Sequence, residues 1–400
     1  MKIIFCSNMY FDVRNDLKLN RRPNPISGHK FQENLILGLL DNKQEITVLN
    51  TSRVGTYPNY PYWYIKEKTF KIKSNPVGTE VSYLNLPIIK YISQAINIYR
   101  YLCQEIKNNR DISQEKICLM TFNTYLPQTA AMLLAKKRFD NIELCDVIGD
   151  LGGKYGIWVR NGGLKGYLIN LLGIIKNKIA SKFDQYVFLT SYMADVIPLG
   201  NKPYTIVEGF APIHYEIEED VLVKNKSIFY AGAIIKDYGI EHLLKAFSMI
   251  ADDEYELNIA GSGSDETLVR EYCSKDNRIH FLGFISPKEV QQYQQMATVL
   301  VSPRLPTGNF VKYSFPSKTM ECLASGKPYI AHKLPCEPPE YARYIQYPIN
   351  GTDEALRDKI VEVCEMTAED RKEIGMNARK FIQDEKSPQK MCEKIVELLN

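Results

Sequence analysis

The sequence lacks long hydrophobic runs and closely spaced cysteines. No stretch reaches the roughly 18 apolar residues that a membrane-spanning helix needs, and the apolar run at the N-terminus is too short for a signal peptide. The nine cysteines lie far apart without a CxxC pair, and several fall in strand-like runs, such as Cys118 in KICLMT. This usage is typical of reduced, buried cysteines and argues against a disulfide framework or a zinc site. We therefore expect a cytoplasmic protein.

Low-complexity tracts, short-period repeats and the GxGxxG fingerprint of dinucleotide-binding folds are also missing. With 45% hydrophobic and 24% charged residues, the composition is that of a globular protein and excludes disorder. Without the fingerprint, a nicotinamide or flavin enzyme is disfavoured. A chain of 400 residues exceeds what one hydrophobic core normally serves, so two domains are expected.

The net charge of +3 conceals a difference between the two halves of the chain. Residues 1–200 contain 26 Lys and Arg against 16 Asp and Glu, a balance of +10, whereas the other half has 24 against 31, a balance of −7. A basic half indicates an anionic partner, such as a membrane surface or a phosphate-bearing ligand. Drift of charge between two domains explains it equally well. The lysines are scattered and no nucleic-acid-binding motif is present, so we predict no nucleic-acid partner.

Short β-branched runs alternate with helical patterns along both halves, which predicts parallel sheets covered by helices. The first half has predicted strands near 2–7, 45–50, 116–121, 142–148 and 185–190, and the second near 227–231, 255–260, 279–283, 297–302 and 327–331. We predict an N-terminal domain over 1–206, a C-terminal domain over 207–375 and a helix, 376–400, that packs back on the N-terminal domain. Doubly wound domains bind ligands beyond the carboxyl ends of their strands.

Glycine-bearing turns follow the first three predicted strands of the second half. The first turn also carries Lys236, a point charge suited to a diphosphate, and the third ends at Phe284. Each turn alone is commonplace, but three in series at one edge of a sheet outline a nucleotide-shaped crevice. The glycines are Gly232, Gly261 with Gly263, and Gly283.

The most specific segment is YSFPSKTMECLASGKP, within residues 300–331. Pro316 fits a first helical turn, which places Ser317 and Lys318 where free backbone N–H groups point outward. Such a helix end is a good diphosphate site. Glu321, one turn later, has the spacing to accept hydrogen bonds from both ribose hydroxyls of a nucleotide. The alternative for Glu321 is a solvated helical glutamate.

Signals in the first half are weaker. Gly28 directly precedes a helix, where a residue without Cβ lets the backbone approach a phosphate, although a plain turn explains it too. Asp150, after a predicted strand, is either a residue that orients an acceptor or a turn aspartate. The segment 163–183 mixes apolar residues with lysines. It suits a helix lying on anionic lipid or, alternatively, a buried helix with solvated lysines.

The glycine turns and YSFPSK together resemble the retaining family 4 glycosyltransferases of the GT-B fold, especially those of bacterial polysaccharide assembly. The resemblance covers residues 187–375 and implies an α/β protein with two Rossmann-like domains facing a central cleft. In this family the second of two glutamates contacts the ribose, and Glu321 matches it. Tyr313 stands in place of the first, which contacts the transferred sugar, and Ala233 and Tyr238 replace an Arg and a Lys that bind the diphosphate.

The resemblance implies a hexosyltransferase that moves a sugar, with retention, from a nucleoside diphosphate to a glycan or lipid-linked glycan in bacterial surface polysaccharide synthesis. UDP is favoured over GDP. The leaving diphosphate needs electrostatic stabilisation, which the resemblance places on protein groups without a metal or another cofactor. The implied catalytic residues are Lys236, Lys318, Glu321 and Asp150. The implied donor contacts are Gly28, Gly232, Gly261, Gly263, Phe284, Arg304, Asn309, Tyr313, Ser317, Lys318 and Glu321.

Two alternatives stay open. A nucleotide-sugar epimerase needs acid and base groups in the cleft, and of the histidines His29 and His332 are the candidates. A non-catalytic partner of another transferase is consistent with the departures at Ala233, Tyr238 and Tyr313. In the transferase reading, the basic half and segment 163–183 predict peripheral contact with the anionic cytoplasmic face of the membrane.

Overall fold

The computed structural model of the protein describes residues 1–10, 19, 26–72, 75–108, 116–155, 163–212, 215, 226–308 and 310–400. The chain folds into two compact units. Unit 1 comprises Met1–Phe210 and Pro388–Asn400, and unit 2 comprises Ala211–Ser387. Asn309, a predicted donor contact, lies outside the described residues.

Unit 1 is built on a mainly parallel sheet. Its strands are β1 (Lys2–Ser7), β2 (Ile46–Asn50), β3 (Tyr64–Ile65), β4 (Lys68–Ile72), β5 (Asn75–Glu80), β6 (Tyr83–Leu84), β7 (Ile117–Phe122), β8 (Ile142–Ile148), β9 (Gln185–Phe188) and β10 (Tyr204–Ile206). The sheet order is β10–β9–β8–β7–β1–β2–β5–β4, with β4 antiparallel to β5, while β3 and β6 pair separately. The strands predicted for the first half are confirmed, whereas β3 to β6 and β10 are additional.

Helices cover the unit 1 sheet so completely that every residue of β1 and β7 is buried. They include α1 (Ser27–Asp41), α2 (Ile89–Asn108), α3 (Leu126–Arg138) and α4 (Gly163–Ala180). In α1, Leu35, Ile36 and Leu39 recur at helical spacing and are buried together. Across the described ranges, the helices are all too short or too polar to cross a membrane.

Unit 2 has a parallel sheet in the order β13–β12–β11–β14–β15. These strands are β11 (Ser227–Ala233), β12 (Glu256–Ser262), β13 (Ile279–Gly283), β14 (Val299–Ser302) and β15 (Tyr329–Ala331), which confirms the strands predicted for the second half. The helices are α5 (Ile240–Ser248), α6 (Glu266–Lys275), α7 (Pro287–Met296), α8 (Ser317–Ala324), α9 (Asp353–Glu365) and α10 (Ala368–Glu385).

The core of unit 2 lies on both faces of this sheet because successive side chains of a strand point to opposite faces. Ile228 and Tyr230 of β11 belong to one buried cluster with residues of α5 and α9. Phe229, between them, belongs to a second cluster with residues of α8 and α10. This packing fixes α5 and α8 with their first turns near the carboxyl ends of the strands.

The last helix, α11 (Pro388–Leu399), returns to unit 1 and packs on α1. A Cβ on Gly38 would lie 2.2 Å from the carbonyl oxygen of Pro388, so glycine is required where the two helices touch. The side-chain amide of Asn42 donates to the carbonyl of Gln389 at 2.8 Å. The thiol of Cys392 donates to the carbonyl of Leu35.

Candidate functional site

The glycines at the carboxyl ends of β11 and β12 allow the two segments to approach very closely. Gly232 and Gly261 are paired in register. A Cβ on Gly261 would lie 1.8 Å from the carbonyl oxygen of Gly232, and one on Gly263 would lie 2.2 Å from that of Ile234. Packing of the protein on itself therefore accounts for glycine at positions 261 and 263.

The loop after β11 forms a short 3-10 turn, Lys236–Tyr238, that ends at Gly239. Gly239 has a φ of +84° and is the N-cap of α5, which has no side-chain cap. The amine of Lys236 lies 3.1 Å from a carboxylate oxygen of Glu241. Hydrogen bonds from Lys236 and Lys245 lower the pKa of Glu241. The cation predicted for a diphosphate is thus already paired within the protein.

The first turn of α8 brings two predicted site residues together. The amine of Lys318 lies 2.7 Å from a carboxylate oxygen of Glu321, with 41% and 24% of the two side chains exposed. The helix begins at Ser317 after Pro316, and no side chain caps its N-terminus. This end therefore presents the positive end of the helix dipole beside a lysine and an oriented carboxylate.

Arg304 follows β14 directly and is buried, with 6% of its surface exposed. Its Cζ lies 5.5 Å from the ring centre of Tyr238 and 4.8 Å from that of Phe310. The Nε and Nη2 atoms are buried without a hydrogen-bond partner. Burial lowers the pKa of the guanidinium. Arg304 is a cation held by aromatic faces that cannot accept all of its hydrogen bonds.

A chain of buried side chains begins at His332, the first residue after β15. The Nε2 atoms of His332 and His242 are 2.9 Å apart, and Nδ1 of His242 is hydrogen-bonded to Asp353. Burial lowers the pKa of His332 to about 4, so this imidazole is neutral at pH 7. His242 thus joins Asp353 to His332, and one of the two facing Nε2 atoms donates to the other.

Among the remaining predicted contacts in unit 2, Tyr313 and Phe284 differ in exposure. Tyr313 is buried in the 3-10 turn Val311–Tyr313, with the amine of Lys312 5.0 Å from its ring centre. Phe284 follows Gly283 at the end of β13 and is 77% exposed. A ring this exposed is available for contact with a ligand.

In unit 1, Gly28 makes room for a cation that the sequence pattern does not single out. A Cβ on Gly28 would lie 2.5 Å from Nη1 of Arg53. The carbonyl of Gly28 accepts a hydrogen bond of 2.9 Å from the side chain of Gln32. Burial lowers the pKa of the neighbouring His29. Gly28 therefore lies beside a guanidinium, an arrangement suited to an anionic ligand.

Asp150 is exposed, and its backbone N–H and that of Gly149 both donate to the side-chain oxygen of Asn123. The buried carboxylate nearby is Asp146, on β8. It accepts hydrogen bonds from the backbone N–H and the hydroxyl of Thr124, at 3.0 and 2.5 Å. Burial raises the pKa of Asp146 to about 6. The sequence pattern selects Asp150 and misses Asp146, because a carboxylate inside an apolar strand carries no local signature.

The carboxyl ends of β1 and β2 carry polar side chains that bond to one another. The Oδ1 atom of Asn50 accepts from the hydroxyl of Ser7 and the backbone N–H of Met9, both at 2.8 Å. Its Nδ2 donates to Glu80. The side chain of Gln128 donates to the carbonyl of Ser7 at 2.6 Å. These bonds fix the edge of the unit 1 sheet.

In the described part of the chain, His, Cys, Asp and Glu side chains form no cluster of three or more that could hold a metal ion.

Residues 216–381 match the family model described as glycosyl transferases group 1. Comparison with curated protein sequences finds no match. A glycosyltransferase from Rickettsia africae is similar in structure, with a TM-score of 0.64 and 14% identity over 99% of this chain and 97% of that one. Sucrose-phosphate synthase from Thermosynechococcus elongatus has a TM-score of 0.61 and 15% identity over 100% and 98%. HepE from Anabaena, in complex with UDP, has a TM-score of 0.59 and 12% identity over 100% of this chain and 99% of that one.

The chain has the GT-B fold. At these identities the structural likeness shows the fold alone, and it confirms the predicted α/β class with Rossmann-like units. The family match lies within unit 2, which contains the glycine turns and the first turn of α8. Unit 2 is therefore similar to the domains of group 1 glycosyl transferases.

Two departures from the GT-B family 4 pattern gain a structural context. Tyr238 stands where that pattern has a lysine, and the guanidinium of Arg304 lies against its ring. Tyr313, in place of a glutamate, is buried. The contact between Arg304 and Tyr238 is not visible in the sequence, because the two residues are distant along the chain and meet only when β11 and β14 pair.

Proposed function

We propose that the protein is a retaining, metal-independent hexosyltransferase that transfers a sugar from UDP to a glycan or lipid-linked glycan acceptor. The observation that carries this proposal is the first turn of α8, where Lys318 and Glu321 are joined at 2.7 Å beside an uncapped helix N-terminus. The match of residues 216–381 to glycosyl transferases group 1 supports it. In this proposal residues 207–375 bind the nucleotide sugar, and residues 1–206 with the helical segment 376–400 form the acceptor side.

In this proposal the diphosphate binds at the N-terminus of α8. Backbone N–H groups at Ser317 and the amine of Lys318 stabilise the charge that develops on the leaving group. Glu321 accepts hydrogen bonds from the ribose, and Lys318 holds its carboxylate in orientation. The further donor contacts proposed are Gly28, Gly232, Gly261, Gly263, Phe284, Asn309 and Tyr313, with Lys236 as a second cation and Asp150 orienting the acceptor.

UDP is favoured as the nucleotide because similar structures are described as complexes with UDP, among them HepE and a pneumococcal O-GlcNAc transferase. A role in bacterial surface polysaccharide synthesis is supported by the likeness to WaaB, described as a lipopolysaccharide outer core galactosyltransferase, with a TM-score of 0.60 and 13% identity.

Peripheral contact with the cytoplasmic face of the membrane is supported by α4. Tyr167, Leu172 and Ile174 are each more than 60% exposed, at 66%, 63% and 64%. A soluble helix normally buries such side chains, so their exposure together marks an interaction surface. Lys178 and Lys182 nearby are exposed and attract anionic headgroups. A lipid-linked acceptor would then be presented to unit 1.

The test is release of nucleoside diphosphate from a panel of UDP- and GDP-sugars, with and without membrane lipid extract. We expect release from one UDP-sugar, stimulated by lipid and abolished in Lys318→Ala and Glu321→Ala. Lys359→Ala is the matched control, because Lys359 and Glu362 form an ion pair with the same spacing of three residues, at 2.6 Å on α9. The anomeric configuration of the product, measured by NMR, tests retention.

Other outcomes separate the alternatives. A nucleotide sugar that is recovered isomerised, without diphosphate release, would identify an epimerase. Binding of UDP without any turnover would identify a non-catalytic partner, for which the substitutions at Ala233, Tyr238 and Tyr313 are the explanation.

A further inference from the structure

Arg304 introduces an uncompensated positive charge into the interior of unit 2. Its side chain is more than nine-tenths buried, and Nε and Nη2 lack hydrogen-bond partners. A buried guanidinium without a partner destabilises a protein, because it loses its hydration without gaining a counter-charge. Such a group persists only if something outside the ligand-free fold requires it.

The groups that surround Arg304 hold it in place without neutralising it. Tyr238 and Phe310 present ring faces, and the other groups that influence its pKa are Cys336 and Tyr329. None of these four is a carboxylate. A protein ligand for the charge is therefore missing from the immediate surroundings among the described residues.

Other arginines of unit 2 show how the same fold satisfies a guanidinium. Arg278 donates to both carboxylate oxygens of Asp276 and to the carbonyls of Ile250 and Asp252. Arg379 donates to the carbonyls of Ala324 and Tyr215, at 2.9 and 3.0 Å. Arg304 differs from both because two of its buried nitrogens, Nε and Nη2, lack partners.

The backbone at Arg304 also lies beside an uncapped helix N-terminus. A Cβ on Gly239, the N-cap of α5, would lie 2.1 Å from the carbonyl oxygen of Pro303 and 3.1 Å from the nitrogen of Arg304. The first N–H groups of α5 have no side-chain cap. A guanidinium and free helical N–H groups are both donors that favour an oxyanion.

We propose that Arg304, in the loop after β14, binds an oxyanion group of the nucleotide-sugar donor and supplies the charge that Ala233 and Tyr238 lack in the loop after β11. This inference rests on the proposed function and deepens it. The oxyanion is either the diphosphate or a carboxylate on the transferred sugar, since both accept two N–H bonds from one guanidinium. Lys236 is only the second cation in the proposed function, because Glu241 already binds its amine.

The proposal predicts opposite effects of one substitution on stability and on binding. Arg304→Met keeps an unbranched side chain between the two rings and removes the unpaired charge. The melting temperature of the ligand-free protein therefore stays the same or rises, whereas affinity for the oxyanion falls. A residue with a merely structural role would give a lower melting temperature and unchanged affinity.

The experiment compares wild type with Arg304→Met, Arg304→Lys, Lys236→Met and the control Arg278→Met. Melting temperatures are measured without ligand, and binding of UDP, GDP, uridine, UDP-glucose and UDP-glucuronate is measured by calorimetry. For a diphosphate contact, we expect at least tenfold weaker UDP binding in Arg304→Met, partial recovery in Arg304→Lys and unchanged uridine binding. Arg278→Met should melt lower and bind normally.

For a sugar carboxylate, UDP affinity is unchanged and a wild-type preference for UDP-glucuronate over UDP-glucose disappears in Arg304→Met. The proposal is overturned if all affinities in Arg304→Met equal those of wild type, or if wild type binds none of the five compounds. Loss of UDP affinity in Arg304→Met without any sugar transfer by wild type would refute the transferase but not the oxyanion site.

Discussion

The two sheets of the molecule carry different polar groups at their carboxyl ends. In unit 1, Asn50, Ser7 and Glu80 bond to one another, and Gln128 bonds to the backbone of β1. In unit 2, the same edge is built from glycines that touch neighbouring backbone and from cations. One of these cations, Arg304, has buried nitrogens without partners.

We interpret this difference as one between a sheet edge whose polar groups are paired within the protein and one whose cation awaits the proposed ligand. In unit 1, the described buried atoms without partners, such as the hydroxyl oxygen of Ser52, belong to groups that are uncharged at neutral pH. In the described residues of unit 2, the buried side-chain atoms without partners belong to Arg304. A buried guanidinium without partners destabilises the fold more than a buried uncharged group without partners. We infer that unit 2 gains stability when the proposed ligand pairs with Arg304.

The largest expected effect concerns the backbone contact between β11 and β12. Gly261→Ala places a Cβ 1.8 Å from the carbonyl oxygen of Gly232, at a φ of +141° that L-residues rarely adopt. We expect unit 2 to lose about 4 kcal/mol of its free energy of unfolding. Urea unfolding followed by far-UV circular dichroism measures this loss. Tryptophan fluorescence should be unaffected, because both tryptophans, Trp63 and Trp158, fall in the residue range of unit 1.

Gly283→Ala is the matched control. A Cβ there meets nothing within 4 Å, although the φ is +66°. Only the left-handed conformation is then penalised, by about 1 kcal/mol. Equal losses in the two variants would show that strain, not the close approach of the strands, determines the need for glycine. A shift of the fluorescence transition in Gly261→Ala would show that the two units unfold together. Their stabilities could then not be compared separately.

The fold is largely predictable from the sequence because its strands are buried on both faces. Runs such as KIIFCS and KICLMT are mostly apolar because every residue of β1 and β7 is buried in a parallel sheet that helices cover. The sequence pattern does not predict strands β3 to β6. β3 and β6 have only two residues each, and exposed polar residues such as Lys68 interrupt β4, so no apolar run marks these strands.

The site is predictable only where it is local. Lys318 and Glu321 are three positions apart on one helix, so their proximity follows from helical spacing. Arg304 against Tyr238, and His242 between His332 and Asp353, depend on strands and helices that meet in the fold. His242 and Asp353 are 111 positions apart. Their pairing has no sequence signature.

The next effect is the pH dependence of stability, which has opposite signs in the two units. Burial raises the pKa of Asp146 from 3.8 to about 6, so unit 1 loses stability as pH rises through this interval. Burial lowers the pKa of His332 from 6.5 to about 4, so unit 2 gains stability as pH rises from 4 to 6.5. Each shift corresponds to about 3 kcal/mol.

Differences between wild type and variants isolate these two contributions. The free energy of unfolding of Asp146→Asn, relative to wild type, should increase as pH rises from 4 to 6. That of His332→Gln should decrease relative to wild type as pH rises from 4 to 6.5. Urea unfolding at pH 4.5, 5.5 and 6.5 measures both, by fluorescence for Asp146 and by circular dichroism for His332. Slopes of the same sign would contradict the assignment of a buried acid to unit 1 and a buried neutral imidazole to unit 2.

A smaller effect tests whether the unit 1 edge is held by its polar side chains. Asn50→Ala leaves the N–H of Met9 and the hydroxyl of Ser7 without their acceptor, and we expect a loss of about 2 kcal/mol by fluorescence-detected unfolding. Asn258→Ala is the matched control in unit 2, since buried Asn258 bonds mainly to Glu256. If both variants lose equally little, then the unit 1 edge is not stabilised by its network.

The smallest expected effect on stability falls on the residues with the largest proposed effect on binding. Lys318 and Glu321 are 41% and 24% exposed, so water screens their attraction. We expect Lys318→Ala to change the free energy of unfolding by less than about 0.5 kcal/mol, like the control Lys359→Ala.

UDP affinity should nevertheless fall at least tenfold in Lys318→Ala and stay unchanged in Lys359→Ala, as measured by calorimetry. A pair that contributes little to the fold but much to binding fits an edge that is completed by its ligand. If Lys318→Ala instead destabilises unit 2 by more than about 1 kcal/mol and binds UDP normally, the pair supports the helix. The polar groups at the carboxyl ends of both sheets would then serve stability alone, and the proposed difference between the two units would be wrong.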